Sequence, residues 1–187
     1  MRTLIYLVGE PGAGKTTALR TALADYARTE SRAGECPVMI LARPPGQAAD
    51  GLPDRITVLG RDREGPFGGT DALSMSVSPK AVAALDGLDG LVVAEGDRLA
   101  HDGFLRAAEE NGWQVVVMAL TTSPSEAAAR RRARDGGAQN ETWVTGRRTK
   151  AVTLARRWGA VRIDGNRTAP MVARELRAAI TKSAATP

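Results

Sequence analysis

The 187-residue chain contains one cysteine, one histidine and few aromatic residues: two Phe, two Tyr and three Trp. Cys36 has no partner for an internal disulfide, which fits a reducing compartment, and no histidine stands near it in sequence. It reads as a small strand-edge residue, not a nucleophile. His101 alone cannot build a zinc site or a histidine-based triad. No apolar run approaches the ~18 residues of a membrane span. The opening apolar stretch leads straight into a glycine-rich loop, unlike a signal peptide. A cytoplasmic protein with no membrane partner is therefore expected. Acidic residues are scarce in the last third: residues 126–187 carry 14 basic against 5 acidic, whereas residues 1–125 carry 12 against 16. A basic C-terminal third suits an anionic partner, either nucleotide phosphates or a nucleic-acid backbone. Nearly all of these cations are Arg in an Ala- and Gly-rich chain, so GC-rich coding accounts for part of the excess.

What is present is more specific. Gly9, Glu10, Pro11, Gly12, Ala13, Gly14, Lys15 and Thr16 form a complete Gly-x-x-x-x-Gly-Lys-Thr loop. The strand-like stretch Thr3–Val8 precedes it, and a helix-forming stretch beginning at Thr17 follows. Strand, loop and helix start together make a nest of backbone N–H groups that favours an anion. Lys15 would reach the β- and γ-phosphates of a nucleoside triphosphate, and the Thr16 hydroxyl would be a ligand of Mg²⁺.

Length and ordinary composition predict a single domain over residues 1–187. Five β-type segments are predicted at Thr3–Val8, Pro37–Ala42, Gly90–Glu95, Gln114–Thr121 and Ala160–Asp164. Helices are predicted at Thr17–Ser31, Ser78–Leu85, Asp102–Asn111, Pro124–Asp135, Gly146–Trp158 and Ala169–Thr181. Such alternation implies an α/β fold with a doubly wound, five-stranded parallel sheet. Two long connections interrupt it: Arg43–Ser76, with a candidate short strand at Ile56–Leu59, and Asp135–Thr145. Connections of that length are commonly binding loops or lids.

Three further segments carry chemistry. Glu95-Gly96-Asp97-Arg98 ends the third predicted strand, where a Mg²⁺ ligand or a catalytic base belongs. The loop through Phe67, Gly69, Thr70 and Asp71 offers an aromatic, hydroxyls and a carboxylate, so Asp71 rivals Glu95 and Asp97 as the base. After the fourth strand, Arg130 and Arg134 share a helix face and suit bidentate contact with phosphate. Trp143 then stands beside Arg147, Arg148 and Lys150, an aromatic among cations that could stack on a base or simply pack. No Asn-Lys-x-Asp guanine motif follows the fourth strand, where Thr121-Thr122-Ser123-Pro124 stands, which disfavours a GTPase.

The phosphate loop, the acidic strand end and the arginine-rich segment together resemble the small P-loop kinases of the nucleoside and nucleotide kinase class. Gly68-Gly69-Thr70-Asp71, Glu95–Leu99 and Gly146–Lys150 are more particularly similar to bacteriophage 5-hydroxymethyluracil DNA kinases. Asp97-Arg98 is similar to the acidic-Arg motif of deoxynucleoside kinases. The lid sequences typical of adenylate or thymidylate kinases are missing. The resemblance implies a P-loop kinase fold with an acceptor-side loop over about residues 43–77 and an arginine-rich lid over about 124–150. It implies ATP and Mg²⁺ held by Gly9–Thr17, with Thr16 and Glu95 at the metal. Lys15, Asp71, Glu95, Asp97, Arg98, Arg130, Arg134 and Arg147 would be catalytic. Phe67, Gly69, Thr70, Asp71, Trp143, Arg148 and Lys150 would contact the acceptor. The expected acceptor is a hydroxymethyl group in phage DNA, which would place the protein in the host cytoplasm. A free nucleoside or monophosphate is the alternative acceptor, and a regulatory P-loop ATPase the alternative function.

Overall fold

The computed structural model describes residues 2–47, 51–63, 69–135 and 140–185. Its centre is β1 (Thr3–Val8), buried at every position, as an apolar strand covered on both faces must be. β1 pairs in parallel with β5 (Leu91–Glu95) on one side and β6 (Gln114–Thr121) on the other. Beyond β6 lies β7 (Val161–Asp164), and beyond β5 lies β4 (Arg55–Leu59), both also parallel. The sheet is completed by β3 (Cys36–Ala42) and β2 (Ala27–Ala33), giving the order β2-β3-β4-β5-β1-β6-β7.

Helices cover both faces. On one, α1 (Lys15–Ala22) and α6 (Ala169–Ala185) pack through Leu19, Leu23, Val172, Leu176 and Ile180 against Ile5, Leu7 and Val93. On the other, α2 (Ser78–Asp86), α3 (Asp102–Glu110) and α5 (Glu141–Arg157) pack through Leu85, Phe104, Leu105 and Leu154 against Leu4, Tyr6 and Val92. α4 (Pro124–Asp135) leaves the carboxyl end of β6 and lies against the glycine loop. Burying this much apolar surface, at about 25 cal/mol per Å², is what fixes the strand ends that carry the site.

Among the described residues the sheet has seven strands, not five. Five are mutually parallel, but the second of them is Arg55–Leu59; the expected strand at 37–42 runs antiparallel beside it. The expected helix 17–31 stops at Ala22, and its second half becomes β2. The bond geometry explains the switch. Arg177 grips Asp25 with two bonds of 2.7 and 2.8 Å, anchoring the turn after α1 to α6. Ala27–Ala33 then pairs along its length with β3. As an outer strand it is polar and exposed, so it has no apolar alternation to announce it. The other helices fall where expected, except that α5 begins at Glu141, capped by the Asn140 side chain on the Trp143 N–H at 3.1 Å. Trp143 is thus in the first turn of a helix rather than in a loop.

Candidate active site

Gly9–Thr16 joins β1 to α1 at the carboxyl edge of the sheet. Gly12 has φ +86°, and a Cβ there would stand 2.3 Å from the Ala127 carbonyl oxygen of α4. Only glycine meets both demands. The loop is held from α4 by two arginines. Arg131, 6% exposed, donates to the Pro11 carbonyl at 2.8 Å. Arg130 donates to the carbonyls of Ala13 at 3.2 Å and Gly165 at 2.9 Å, and its Nε meets Glu126 at 3.0 Å. Lys15 Nζ donates to the carbonyls of Gly9 at 2.8 Å and Glu10 at 3.3 Å.

Across from the loop, the end of β5 presents Glu95, 2% exposed. Its Oε1 accepts the Thr16 hydroxyl at 2.7 Å. Burial raises the Glu95 pKa above the ordinary carboxylate value, against the opposing pull of Lys15 and the Thr16 hydrogen bond. This pair of hard oxygens suits Mg²⁺, which takes few protein ligands and completes its shell with water and phosphate. Among the described residues no group of three or more His, Cys, Asp or Glu side chains is placed to hold a metal, so the ion would depend on those phosphates.

Asp71 sits in a 3-10 turn, Thr70–Ala72, pressed onto the same strand end. The approach is backbone-close. A Cβ on Gly96 would lie 2.7 Å from Thr70 Oγ1 and 3.0 Å from the Asp71 carboxylate, and Gly96 has φ +116°. A Cβ on Gly69 would lie 2.5 Å from Glu95 Oε1, and one on Gly60 would lie 2.0 Å from the Gly69 carbonyl oxygen. Beneath them the buried Tyr6 hydroxyl donates to the Gly96 carbonyl at 3.2 Å and shares a hydrogen bond with Thr70 Oγ1 at 3.3 Å. The Asp97 N–H donates to Asp71 Oδ1 at 2.6 Å. Burial raises the Asp71 pKa, with Lys15 the largest opposing influence. Gly96→Ala should therefore unfold in urea with about 1–3 kcal/mol less stability and lose activity. Unchanged unfolding would show that the turn yields easily.

Loop and turn face each other across a cleft of about 830 Å³. Its walls hold Lys15, Thr16 and Thr17 on one side and Asp71, Glu95, Asp97 and Arg98 on another, with Arg130, Trp143 and Arg147 nearby. Asp97 is tied down: Arg147 pairs with its carboxylate, and Lys150 Nζ reaches Oδ2 at 3.1 Å and the Asp97 carbonyl at 2.9 Å. The Arg147 guanidinium stands 5.5 Å from the Trp143 ring centroid, a cation–π distance.

Most residues singled out from sequence thus converge on one cleft. Gly69 and the fully buried Thr70 lie beneath its surface as supports, and Arg148 faces a different groove. Phe67 and the Arg134 side chain lie outside the described residues. Sequence reasoning missed four contributors: Tyr6 under the turn, Arg131 on the loop, and Arg63 and Met75 on the cleft wall. Met75 had a signal, being a large apolar residue in a polar loop, and it is 80% exposed.

The family model for P-loop Nucleotide Kinase3 matches residues 1–174. The chain belongs to that family. Membership of this P-loop kinase family makes it a nucleotide-binding phosphotransferase of the kinase type. No curated protein matches it. Among solved structures it is similar to an unliganded sugar kinase from Janibacter sp. HTCC2649. That likeness has a TM-score of 0.51 and 14% identity over 100% of both chains, and it bears on the fold alone. No helix among the described residues is long and apolar enough to cross a membrane.

Proposed function

We propose that this kinase moves the γ-phosphoryl of ATP to a hydroxyl carried by a nucleobase-containing acceptor. The observation that carries this reading is the arrangement of the cleft. A P-loop lysine, the buried Glu95 and the half-buried Asp71 line it, and two exposed apolar side chains, Trp143 and Met75, lie on its walls. A tryptophan 39% exposed beside an arginine offers a stacking face to a flat ring.

The roles follow from position. Lys15 places a fixed cation at the transferring phosphate, and the α1 amides hold the others. Thr16 and Glu95 would hold the metal, which would supply positive charge against the phosphates when bound. Asp71 orients the acceptor hydroxyl and takes its proton. The acceptor oxygen bonds to the γ-phosphorus while the bond to the β–γ bridging oxygen breaks. Asp71 suits this better than Asp97, whose carboxylate is occupied by Arg147 and Lys150. Arg147 and Arg98 line the same cleft and would offset negative charge on the transferring group, and α4 with the start of α5 would form the lid.

The preferred acceptor is the 5-hydroxymethyl group of hydroxymethyluracil in DNA. It is supported by the motif resemblance, the basic last third and the stacking wall. A duplex base must flip out to enter such a cleft, and an aromatic wall gives the flipped ring a place to stack. Labelled ATP offered with hydroxymethyluracil DNA, plain DNA, nucleosides, monophosphates and sugars tests this directly. Transfer to hydroxymethyluracil DNA alone is expected. Transfer to a free nucleoside or monophosphate but not to DNA would replace this acceptor, and acceptor-independent ATP hydrolysis would replace the kinase reading with a regulatory ATPase. Trp143→Ala should raise the acceptor KM about tenfold, from the ~1–3 kcal/mol of a base stack, while leaving the KM for ATP unchanged. An unaltered acceptor KM would remove Trp143 from the site.

A further inference from the structure

A second groove, of about 200 Å³, lies between α5 and the edge of β6 and β7. Three arginines line it, Arg148 and Arg156 from α5 and Arg162 from β7, over apolar walls that include Val152, Ala155 and Leu120. All three are exposed, and none makes an ion pair with any described residue. The other cations of the same helix are engaged: Arg147 and Lys150 with Asp97, and Arg157 with Asp102. Among the described residues the one carboxylate in the groove is Glu10, which leaves a net positive charge.

Arg148, Val152 and Arg156 stand four residues apart, so they form a stripe along one face of α5, about 12 Å from first to last at 1.5 Å per residue. A single DNA strand carries one phosphate per ~3.4 Å of duplex axis, so the stripe spans several backbone charges. The groove also abuts the transfer cleft. Gly9 lines both, and the adjacent residues Arg147 and Arg148 face one each.

We infer that this groove is a backbone-binding site for the DNA strand flanking the acceptor base. Its arginines take the phosphates, and its apolar wall lies against the sugars. The site rests on the DNA reading of the acceptor and adds to it where the strand runs once the reacting base is in the cleft. It also gives Arg148 a contact outside the cleft.

The test uses the full chain and a fluorescein-labelled DNA duplex with one hydroxymethyluracil. Anisotropy titrations over a salt series compare the unaltered protein with an Arg156→Gln/Arg162→Gln double variant. The double variant should lose about two units of the log–log salt slope, from ~0.9 per phosphate contact. Its KM for DNA should rise about tenfold or more, with kcat and the KM for ATP unchanged. Both substitutions are on exposed side chains, and an unchanged thermal melt verifies the fold. If the unaltered protein binds and phosphorylates the duplex and the variant matches it in slope and KM, the groove is not the track, although the acceptor reading stands. If the unaltered protein has no affinity for DNA at low salt, the acceptor reading fails and the groove assignment with it. Displacement of the duplex by thymidine monophosphate at equal nucleotide concentration would also overturn a strand-binding site.

Discussion

Lys15→Ala is expected to lower kcat by at least about 10²–10³-fold, the loss that follows removal of one preorganised group from a charged transition state. The lysine stands at the mouth of a loop fixed on every side: Gly12 against α4, Pro11 by Arg131, Ala13 by Arg130. Its ammonium is held against the loop by the carbonyls of Gly9 and Glu10, so it already lies beside the phosphate-binding nest before any phosphate arrives. Because charge on the transferring group is greatest in the transition state, the loss should fall on kcat more than on the KM for ATP. Single-turnover measurements with labelled ATP make the distinction. A variant retaining near-normal kcat would show that this loop binds nucleotide without serving transfer.

Asp71→Asn is expected to abolish transfer while leaving nucleotide binding intact, and its pH behaviour separates a chemical role from a structural one. Burial raises the Asp71 pKa, so the carboxylate is protonated at a higher pH than an exposed aspartate. Only the ionised form accepts a proton from the acceptor. The acidic limb of kcat/KM should therefore lie above the usual aspartate range, with activity rising as pH rises through it. Stability runs the other way. A carboxylate whose pKa is raised by folding binds protons more tightly in the folded state. Its cost is present above the folded pKa and disappears as pH falls through it. The asparagine keeps an oxygen for the Asp97 N–H and carries no charge. The variant should therefore melt no lower than the unaltered protein at neutral pH, and the difference should shrink in acid. A variant that melts lower and retains transfer would make Asp71 a structural residue and return the base role to Asp97 or Glu95.

The site was legible where chemistry is written in consecutive residues. The phosphate loop and Glu95-Gly96-Asp97-Arg98 lie where strand-end reasoning puts them, because a buried apolar strand has little choice of direction or length. β2 was not legible, since a polar outer strand shares its composition with a helix surface and only its pairing with β3 decides between them. Tyr6 was hidden for a different reason. It occupies an ordinary core position of β1, and its hydroxyl matters only because residues 64 and 90 positions later in the chain fold over it. Arg131 is one of several arginines along α4, with nothing in the sequence to set it apart. Its neighbour relation to Pro11, 120 residues away, is a tertiary fact that no spacing along α4 reveals.

The close packing of Gly60 on the Gly69 backbone, and of Gly69 on Glu95, separates two jobs that share one connection. Asp71 is located by that packing together with the Asp97 N–H and the Tyr6–Thr70 hydrogen bond, none of which involves the side chains of the segment that follows. Leu73 is buried beneath that segment, whereas Ser74, Met75 and Ser76 are exposed beyond it. Of the three, Met75 lines the cleft, so substitution there can reshape the acceptor wall without moving the carboxylate. In a lineage of such kinases, acceptor choice would be free to drift while the transfer chemistry stayed fixed. A library randomised at position 75 would sample new acceptors at nearly constant intrinsic competence.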